Sequence, residues 1–367
     1  MIGGWAPSLI KFRGPLLAAM VARGHEVIAM AADGTPAIEA QLAALGVAFE
    51  PIELERTGID PIADAKAILS LAGTLRALRP ELVLGYTIKP VIYGSLAARL
   101  AGVPRRAAMI TGLGSALASV RTAKQRVVAT VARLLYRAGL AQCEVVIFQN
   151  TDDRDELARI GALPRHARVT VVRGSGVDLT HYKPSPLPPG PPIFLFLGRL
   201  LRDKGIAEYV AAARLVRAHH PTAIFRIAGW LDPNPESLTQ AELDALVAEG
   251  TLEYLGPCDD VRPHLAAAHV LVLPSYREGT PRSVLEAMAM NRAVITTTAP
   301  GCRETVVDNE SGLLVPIADA RLLAAAMFRL IASPALLARL ASAGHARALS
   351  LYDATKVSAS ILSALDL

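Results

Sequence analysis

Short apolar runs alternate with longer stretches of helical periodicity along the chain. In the N-terminal half, the apolar runs predict strands at residues 27–31, 82–86, 106–111, 145–149 and 169–172. Helices are expected between them, near residues 36–45 and 91–101. The C-terminal half repeats the alternation, with predicted strands at residues 193–197, 223–228, 270–273 and 294–297 and a helix at 206–219. This pattern is typical of parallel sheets covered by helices, so the sequence predicts an α/β fold with two doubly wound, Rossmann-like domains.

A proline-rich segment lies between the two halves. Residues 183–192 contain six prolines, and proline lacks the amide hydrogen that a helix or a central strand requires. We expect this segment to be a semi-rigid linker with a hinge near it. Ligands of doubly wound sheets bind at the carboxyl ends of the strands, and two facing sheets would enclose a cleft between the domains.

The N-terminus of the chain departs from the usual start of such a domain. Only Met1 and Ile2 precede a glycine pair, Gly3 and Gly4. A doubly wound domain normally opens with a full strand that runs into a glycine-rich turn. Two explanations are open: the first strand is truncated by a few residues, or the real start of the chain lies upstream.

The composition is that of a globular protein with large cores. The 367 residues are 52% hydrophobic and 19% charged, which excludes a disordered chain and suggests two or three domains. Charged residues or prolines interrupt every long apolar run, so we expect neither a membrane-spanning helix nor a secretory signal. The three cysteines lie far apart in sequence, which argues against a disulfide scaffold or a structural zinc site and favours a cytoplasmic protein.

Positive charge is concentrated in the N-terminal half. The net charge is +5, with +6 in residues 1–180 and −1 in the remainder, and residues 82–143 contain nine Lys and Arg and no acid. Such a segment produces a positive field that attracts anions. Lipid headgroups, a pyrophosphate-bearing acceptor and nucleic acid are candidates, and a solubilising arginine-rich surface is the alternative. Nucleic acid is disfavoured because we see no array of aromatic side chains on which bases would stack.

A loop in the C-terminal half carries the first candidate chemistry. A buried strand ends just before it, and Glu278, Gly279 and Thr280 form a tight turn ahead of a helix that begins near Pro281. The amide groups of the first helical turn favour an anion. Glu278 and Glu286 are expected to accept hydrogen bonds from the hydroxyl pairs of a hexose and a ribose. The alternative makes Glu278 a helix cap and Glu286 a solvated helix position.

A second loop follows an equivalent strand. That strand ends at Gly198, and Arg199 and Lys204 project from the loop after it. Arginine binds phosphate oxygens in a fork and lysine adds a mobile charge, so the pair suits a diphosphate leaving group on which charge develops. Two ordinary surface cations are the alternative. Because both loops follow strands of one predicted sheet, we expect them to converge on a common site.

Several motifs extend this picture over most of the chain. They are Gly198-Arg199-Leu200 with Lys204-Gly205, Glu278 and Glu286 with seven residues between them, Gly174-Ser175-Gly176-Val177-Asp178 with Tyr182, and Pro300-Gly301-Cys302-Arg303-Glu304. Together they resemble the retaining glycosyltransferases of the GT-B fold, family 4. Two N-terminal motifs, Tyr86-Thr87-Ile88-Lys89-Pro90 and Ile110-Thr111-Gly112-Leu113-Gly114, are similar to the bacterial branch that acts on polyprenyl-diphosphate-linked or lipopolysaccharide acceptors.

The resemblance implies a role for each domain. Residues 1–172 would form the acceptor-binding domain and residues 173–350 the domain that binds a nucleotide sugar, most often a UDP-sugar. The final helix, within residues 351–367, would return to the N-terminal domain. Family members typically need no metal, so we expect no cofactor and no metal ligands. They are usually described as transferring the sugar with retention through a front-face, ion-pair-like transition state, without a firmly placed protein nucleophile.

The resemblance also assigns individual residues. The donor site would comprise Gly3, Gly4, Gly198, Arg199, Lys204, Glu278, Gly279, Thr280 and Glu286. Arg199 and Lys204 would hold the diphosphate, Glu286 the ribose, and Glu278 with the neighbouring backbone the donor sugar. Glu278, Arg199 and Lys204 would carry catalysis, and Gly3 and Gly4 would approach the phosphates from the other domain, where only glycine permits such closeness. Lys11, Arg13 and Lys89 would contact the acceptor.

A basic amphipathic helix is predicted at residues 121–139. Its cations, at positions 121, 124, 126, 133 and 137, are separated by apolar residues, a pattern suited to an anionic membrane surface. The alternative is a helix packed on the sheet with its arginines outward. We therefore expect a cytoplasmic protein that associates peripherally with the inner membrane face.

These observations predict a glycosyltransferase that builds a cell-surface polysaccharide or lipopolysaccharide. It would transfer a hexose or an N-acetylhexosamine from a nucleotide sugar, UDP-linked, to a lipid-linked or polysaccharide acceptor, and nucleic acid would not be a partner. Two alternatives stay open: a GT-B nucleotide-sugar epimerase or hydrolase, and a non-catalytic protein that binds sugar nucleotides. The intact Arg199, Lys204, Glu278 and Glu286 disfavour the last.

Overall fold

Two α/β units divide the chain in the computed structural model, which describes residues 1–54, 60–113, 123–234 and 236–367, without the side chains of residues 123–125. The first unit comprises Met1–Ser175 and Ala354–Leu367, and the second comprises Gly176–Asp353. Both boundaries lie three residues beyond those expected from the sequence, at 172 and 350. Gly114, Arg121 and the side chain of Lys124, which belong to the motifs above, lie outside the described residues.

The first unit contains a parallel sheet. Its strands pair in the order β2-β1 and β3-β4-β5-β6, and Ile2 joins the two groups through single bridges to Met30 and Gly85. The strands are β1 (Val27–Ala31), β2 (Val47–Pro51), β3 (Leu82–Tyr86), β4 (Arg105–Ile110), β5 (Val145–Phe148) and β6 (Arg168–Val171). Every residue of β5 is buried and apolar, as expected for a strand that is covered on both faces.

The first strand of this sheet consists of one residue. The Ile2 amide donates to the Leu84 carbonyl at 2.9 Å, and the Ile2 carbonyl accepts from the Tyr86 amide at 3.0 Å. On the other side, the Gly3 amide donates to the Met30 carbonyl at 2.8 Å. Ile2 therefore lies between β1 and β3, and the glycine pair follows at the carboxyl edge of the sheet.

Helices cover both faces of the first sheet. Alternate strand residues point to opposite faces: Met109 and Ile147 pack with residues of α2 and α14, whereas Ala108 and Val146 pack with Tyr136 of α6. The helices are α1 (Pro7–Lys11), α2 (Gly14–Ala22), α3 (Pro36–Ala44), α4 (Pro61–Leu78), α5 (Ser95–Ala101), α6 (Ala123–Leu140), α7 (Thr151–Arg159) and, after the second unit, α14 (Ala354–Ala364).

The helix predicted at 91–101 begins as a π-helix, Pro90–Gly94, that continues into α5. It starts beside β3 with little space, since a Cβ on Gly85 would lie 2.5 Å from the Pro90 carbonyl oxygen. Thr87, between β3 and the π-helix, has a φ of 67°, which is an outlier for a β-branched residue. Both π-helical turns and such backbone conformations are enriched at functional sites.

The second unit is also built on a parallel sheet. Its strands are β7 (Ile193–Leu197), β8 (Ile224–Ala228), β9 (Glu253–Tyr254), β10 (Val270–Leu273), β11 (Ala293–Thr297) and β12 (Leu313–Val315). Their spatial order is β12-β11-β10-β7-β8-β9, the doubly wound order in which the chain switches direction between its first and fourth strands, β7 and β10. The prediction of an α/β fold with two parallel, Rossmann-like sheets is confirmed.

The helices of the second unit complete the predicted alternation. They are α8 (Ile206–His219), α9 (Gln240–Ala248), α10 (Arg262–Ala266), α11 (Arg282–Ala289), α12 (Ala320–Ala332) and α13 (Pro334–Leu351), with a short 3₁₀ turn at Arg202–Lys204. The core combines buried apolar residues of the strands with those of α8, α11, α12 and α13. Helices therefore cover the faces of the sheet, and polar loops follow the carboxyl ends of its strands.

The expectation of a hinge near residues 183–192 is wrong. The segment lies inside the second unit, whose first residue is Gly176. The fully buried guanidinium of Arg292 donates to the carbonyls of Ser185 and Pro186, each at 2.9 Å, and to the Leu265 carbonyl at 2.7 Å. Prolines leave carbonyl groups without a neighbouring amide donor, and a buried arginine supplies the hydrogen bonds that fix the segment to the domain.

Candidate functional site

The loops after β7 and β10 meet at the switch point of the second sheet. The ammonium of Lys204 lies 2.5 Å from Oε1 of Glu278, and the Ser275 hydroxyl donates to the same oxygen at 2.8 Å. The side chains of Lys204 and Glu278 are each 14% exposed. Glu278 is therefore held by a cation from the neighbouring strand end and is not simply a helix cap.

Backbone contacts lock these two loops together. The Tyr276 amide donates to the Asp203 carbonyl at 2.8 Å. Gly205 has a φ of 72°, and a Cβ there would lie 2.1 Å from the carbonyl oxygen of Pro274. Glycine satisfies both demands because it tolerates the left-handed region and carries no Cβ. The Gly-Arg-Leu…Lys-Gly pattern thus ends in a residue that lets the two loops touch.

The loop after β11 also contacts Glu278, through its backbone. The Glu278 amide donates to the Pro300 carbonyl at 3.0 Å. Gly301 has a φ of 78°, and a Cβ there would lie 2.2 Å from the Glu278 carbonyl oxygen and 2.6 Å from that of Gly279. The loop after β11 therefore fixes the position of Glu278, buried Gly279 and half-buried Thr280, which precede α11.

Arg199 lies on the β8 side of the same loop and is ion-paired. Its Nη1 lies 3.2 Å from Oδ2 of Asp232, and the two side chains are 35% and 10% exposed. The other carboxylate oxygen of Asp232 accepts the Asn234 amide at 3.0 Å, and the Asp232 amide donates to Ser237. Gly198, one residue before Arg199, donates its amide to the Ala228 carbonyl at the end of β8.

Glu286 is buried within α11, so the alternative of a solvated helix position is wrong. It is 7% exposed, and Arg282, one turn earlier, donates Nε to it at 3.1 Å. The Tyr182 hydroxyl also hydrogen-bonds its carboxylate. Burial raises the pKa of Glu286, and the contacts with Arg282 and Tyr182 counteract that rise. The carboxylate is therefore buried and held by two side chains, Arg282 and Tyr182.

Asp203 adds a second carboxylate beside Lys204. Burial raises the pKa of Asp203, the charge of Lys204 lowers it, and Glu278 raises it again. Within the part of the chain that the structure describes, its Oδ1 is buried without a hydrogen-bond partner. The cations Arg199 and Lys204 thus lie among three carboxylates, those of Asp203, Asp232 and Glu278.

Five residues of this site were not predicted as site residues: Tyr182, Asp203, Asp232, Ser275 and Arg282. Asp203 adjoins Lys204, Ser275 adjoins the glutamate loop, and Arg282 precedes Glu286 by one helical turn, so their positions in the sequence were a usable signal. Tyr182 belongs to a quoted motif without an assigned role. Nothing in the sequence around Asp232 indicated a site residue, because Asp232 follows β8 whereas Arg199 follows β7.

In the first unit, the predicted glycines lie at the equivalent switch point, between Ile2 and β3. A Cβ on Gly3 would lie 2.3 Å from the Tyr86 hydroxyl, and one on Gly4 would lie 2.9 Å from Oγ1 of Thr87. Glycine at both positions leaves room for these side chains. The Tyr86 hydroxyl in turn lies 2.7 Å from that of Ser8.

The predicted acceptor cations have different surroundings. Arg13 is 3% exposed, lies 4.8 Å from the ring centre of Tyr86 and donates to the Ser175 hydroxyl at 2.9 Å. Lys11 is exposed. Lys89 lies 2.9 Å from Asp64, and both side chains are 11% exposed. The structure thus brings Arg13 to the glycine pair, whereas Lys89 belongs to a separate polar cluster.

The cluster around Lys89 borders a cavity. Tyr93 donates to Asp64 at 2.8 Å and lines a cavity of about 220 Å³ between the end of β2 and α4. None of the predicted site residues lines this cavity. Among the residues that the structure describes, no cluster of three or more His, Cys, Asp or Glu side chains could hold a metal ion.

No single helix within the described ranges is long and apolar enough to cross a membrane. Taken together, α12 and α13 are long and apolar enough by length and composition alone, but they are bent by 105° with respect to each other.

Two family models match adjoining parts of the chain. The model described as "Glycosyl transferase 4-like domain" matches residues 13–174, and the model described as "Glycosyl transferases group 1" matches residues 191–333. Arg13, Tyr86 and Thr87 of the first unit lie within the first match, and Arg199, Lys204, Glu278 and Glu286 of the second unit lie within the second. Together the two models account for most of the chain.

Individual proteins give the same result. The N,N'-diacetylbacillosaminyl-diphospho-undecaprenol alpha-1,3-N-acetylgalactosaminyltransferase of Campylobacter jejuni is 27% identical over 86% of this chain and 84% of its own. The lipopolysaccharide core biosynthesis glycosyltransferase LpsE of Rhizobium meliloti is 32% identical over 43% of this chain and 45% of its own. The crystal structure of Anabaena HepE in complex with UDP has a TM-score of 0.77 at 17% identity, covering 100% of this chain and 98% of that one. The fold and both domain matches agree, and the chain belongs to the GT4-like glycosyltransferases of the GT-B fold.

Proposed function

We propose that this glycosyltransferase moves a hexose or an N-acetylhexosamine, with retention, from a UDP-sugar to a lipid-linked or polysaccharide acceptor. The observation that carries the proposal is the cluster at the second switch point, where Lys204 lies 2.5 Å from Glu278 and Arg199 pairs with Asp232. Ligands of doubly wound sheets bind at this location. Two cations suit the diphosphate of a nucleotide sugar, and the neighbouring carboxylates suit its hydroxyl groups.

Each side chain has a defined task in this proposal. Arg199 and Lys204 leave their carboxylate partners to hold the diphosphate, and the buried carboxylate of Glu286 accepts the ribose hydroxyls. Glu278, released from Lys204, accepts hydroxyls of the donor sugar beside the backbone of Gly279 and Thr280. As the bond between the sugar and the diphosphate breaks, negative charge grows on the diphosphate, and the two cations stabilise that charge.

The bond changes balance without a protein nucleophile. The acceptor hydroxyl bonds to the anomeric carbon on the face that the diphosphate leaves, and its proton departs with the UDP. Glu278 and Glu286 act by orienting the donor, which lowers the barrier through positioning. No metal is part of this scheme, since the lysine and the arginine supply the positive charge.

A lipid-linked acceptor is supported by two observations. The Campylobacter relative is named for transfer to a diphospho-undecaprenol saccharide, and the segment 82–143 of this chain carries nine cations and no acid. We assign Lys11 and Arg13, in the first unit, to the acceptor diphosphate. Lys89 would take part after it leaves Asp64. The chain would work peripherally at an anionic membrane surface on the cytoplasmic side, with the basic helix α6 facing the lipid.

The name of the same relative favours an N-acetylhexosamine donor. The test is a panel of UDP-N-acetylgalactosamine, UDP-N-acetylglucosamine, UDP-glucose and UDP-galactose, each with and without a polyprenyl-diphosphate-linked saccharide. UDP release only with acceptor, and an α-linked product from an α-linked donor, support the proposal. UDP release without acceptor would indicate a hydrolase, and sugar interconversion without release an epimerase. Binding without turnover would indicate a non-catalytic protein.

Matched variants separate the site from the rest of the domain. Arg199→Ala removes a diphosphate contact and is expected to lower kcat/KM by about 10²-fold or more. Arg202→Ala removes a cation from the same loop whose partner is Glu242, and it is expected to leave transfer almost unchanged. Equal loss in both variants would contradict the assignment of the diphosphate to Arg199.

A further inference from the structure

Three helices form one layer over a single face of the first unit's sheet. Leu71 and Leu75 of α4 pack with Ala98 of α5 against Val83 of β3. Tyr136 of α6 packs with the π-helix against β4 and β5 of the same face. We refer to the exposed side chains of α4, α5 and α6 as the outer helix surface.

Unusually exposed aliphatic side chains occur on this surface. Among the residues that the structure describes, the five most exposed large hydrophobic side chains all belong to it. They are Ile62 (71%), Leu69 (65%), Val127 (63%), Leu134 (59%) and Leu100 (51%). Single exposed aliphatic residues are ordinary, but five on one helical layer mark an interaction surface.

The exposed charged residues of the surface are all cations. The exposed ones are Lys66 and Arg76 on α4, Arg99 on α5, and Arg126, Arg133 and Arg137 on α6. Asp64 is the one carboxylate that the sequences of these three helices contain. It is buried and accepts hydrogen bonds from Lys89 and Tyr93, so it does not offset the exposed cations.

Apolar and basic residues alternate along the same helical faces. Ile62, Lys66 and Leu69 are spaced by four and three residues on α4, and Val127 and Leu134 by seven on α6, so each set projects on one side of its helix. The apolar side chains are therefore interleaved with the cations. A surface of this kind suits the interface of an anionic bilayer, where aliphatic side chains enter the acyl boundary while arginines contact phosphates.

We propose that the outer helix surface, with α4 and α5 as well as α6, is a docking surface for an anionic lipid bilayer, held by inserted aliphatic side chains and not by charge alone. The proposal rests on the proposed function, because a lipid-linked acceptor is what requires the chain at a bilayer. The sequence pattern predicts membrane contact only for the basic helix at 121–139, whereas the exposed side chains extend this surface to α4 and α5. The proposal also places the contact area on residues outside the donor and acceptor sites.

Co-sedimentation of the full chain with vesicles tests the proposal. Vesicles of phosphatidylcholine with phosphatidylglycerol are compared with vesicles of phosphatidylcholine alone, without donor or acceptor. We expect the wild type to bind the anionic vesicles and to retain part of this binding at high salt, because insertion is not screened. Ile62→Ser with Leu69→Ser, which changes no charge, is expected to lower the partition coefficient about tenfold.

Two further variants define the contributions. Arg126→Gln with Arg133→Gln is expected to remove the salt-sensitive part of the binding and to leave the salt-resistant part. Val247→Ser with Leu322→Ser removes two exposed aliphatic side chains, 42% and 46% exposed, from the second unit, and it is expected to bind like the wild type. Circular dichroism and thermal midpoints confirm that the variants are folded.

Three outcomes would overturn the proposal. One is a wild-type chain that does not bind anionic vesicles, and another is an Ile62/Leu69 variant that binds as well as the wild type. The third is concentration-dependent self-association of the wild type that the Ile62/Leu69 variant abolishes, since the surface would then be an interface between copies. Transfer to a detergent-solubilised acceptor is measured in parallel, so that failure of vesicle binding is distinguished from failure of the proposed transferase activity.

Discussion

Lys204 and Glu278 are separated by 74 residues in sequence, and their charged groups lie 2.5 Å apart. The contact arises because β7 and β10 are adjacent and parallel, so the loops after them leave the sheet at the same edge. Arg199 is paired with Asp232 in the same way. The cations of the proposed donor site are therefore already engaged by carboxylates, and a diphosphate would have to compete with these partners.

Asp232→Asn is expected to strengthen UDP binding. The variant keeps the size of the side chain and removes the charge that competes for Arg199, so UDP affinity should rise about twofold to fivefold, the range of a partly exposed ion pair. Isothermal titration calorimetry with UDP measures the change. Glu242→Gln is the matched control, since it releases the nearby Arg202 from its own pair. Weaker UDP binding in Asp232→Asn would mean that Asp232 instead orients Arg199.

Donor binding is expected to weaken at low pH through Glu286. Burial raises the pKa of this carboxyl, and the ionised form is the stronger acceptor of ribose hydroxyls. Donor affinity is therefore full above the raised pKa and is lost as the pH falls through it. The Tyr182 hydroxyl lowers this pKa, so Tyr182→Phe should raise it further and move the acidic limb of 1/KM to higher pH.

The pH profile of 1/KM for the UDP-sugar tests this role. Tyr254→Phe is the control, because it removes a hydroxyl that donates to the Gly229 carbonyl instead. If 1/KM of Tyr182→Phe fell by the same factor at every pH and the acidic limb did not move, Tyr182 would have only a structural role.

Gly301→Ala is expected to reduce both stability and activity. A Cβ at this left-handed residue would press on the carbonyls of Glu278 and Gly279, and the glutamate loop would have to move. Gly250 also has a positive φ, of 73°, with open space around it. Gly250→Ala should therefore cost about 1 kcal/mol in the free energy of unfolding, and Gly301→Ala about 2 kcal/mol more. Urea denaturation measures the loss of stability, and UDP affinity measures the effect on the site. Similar results for both variants would contradict the close packing of Gly301 against the Glu278 and Gly279 carbonyls.

Arg292→Met is expected to loosen the proline-rich segment. Arg292 is fully buried, burial lowers its pKa to about 10, and its guanidinium supplies the hydrogen bonds of the Ser185 and Pro186 carbonyls. Leaving these buried acceptors unpaired should cost about 3 kcal/mol or more in the free energy of unfolding. Arg262→Met, at an exposed ion pair with Asp260, is the control and should change little. Equal losses of unfolding free energy in the two variants would show that the hydrogen bonds of Arg292 do not stabilise the segment.

Most strands that could be predicted from the sequence are largely buried, and the exposed edge strand β6 is an exception. The predictions at 193–197 and 270–273 have the observed bounds of β7 and β10, because buried parallel strands consist of continuous apolar runs. The strands that were missed lie at the sheet edges. β2 has one buried residue, and β9 and β12 have two and three residues in all, so their apolar pattern is too short to be distinguished from a loop.

The residues of the candidate site also fall into two groups, those that the sequence pattern predicts and those that it does not. Arg199, Lys204 and Glu278 follow buried strands directly, so the strand pattern was enough to predict that they converge. Asp232 reaches Arg199 from the end of β8 through tertiary structure alone. The hinge expected at 183–192 failed for a related reason, since proline content describes the local backbone and gives no sign of a buried arginine more than a hundred residues away.

The position of bound UDP tests the central claim most directly. In a crystal structure of the chain with UDP, the account predicts that the diphosphate contacts the guanidinium of Arg199 and the ammonium of Lys204. It also predicts that the ribose hydroxyls lie within hydrogen-bond distance of Glu286. UDP bound away from the ends of β7 and β10, with the Lys204–Glu278 and Arg199–Asp232 pairs intact, would contradict it.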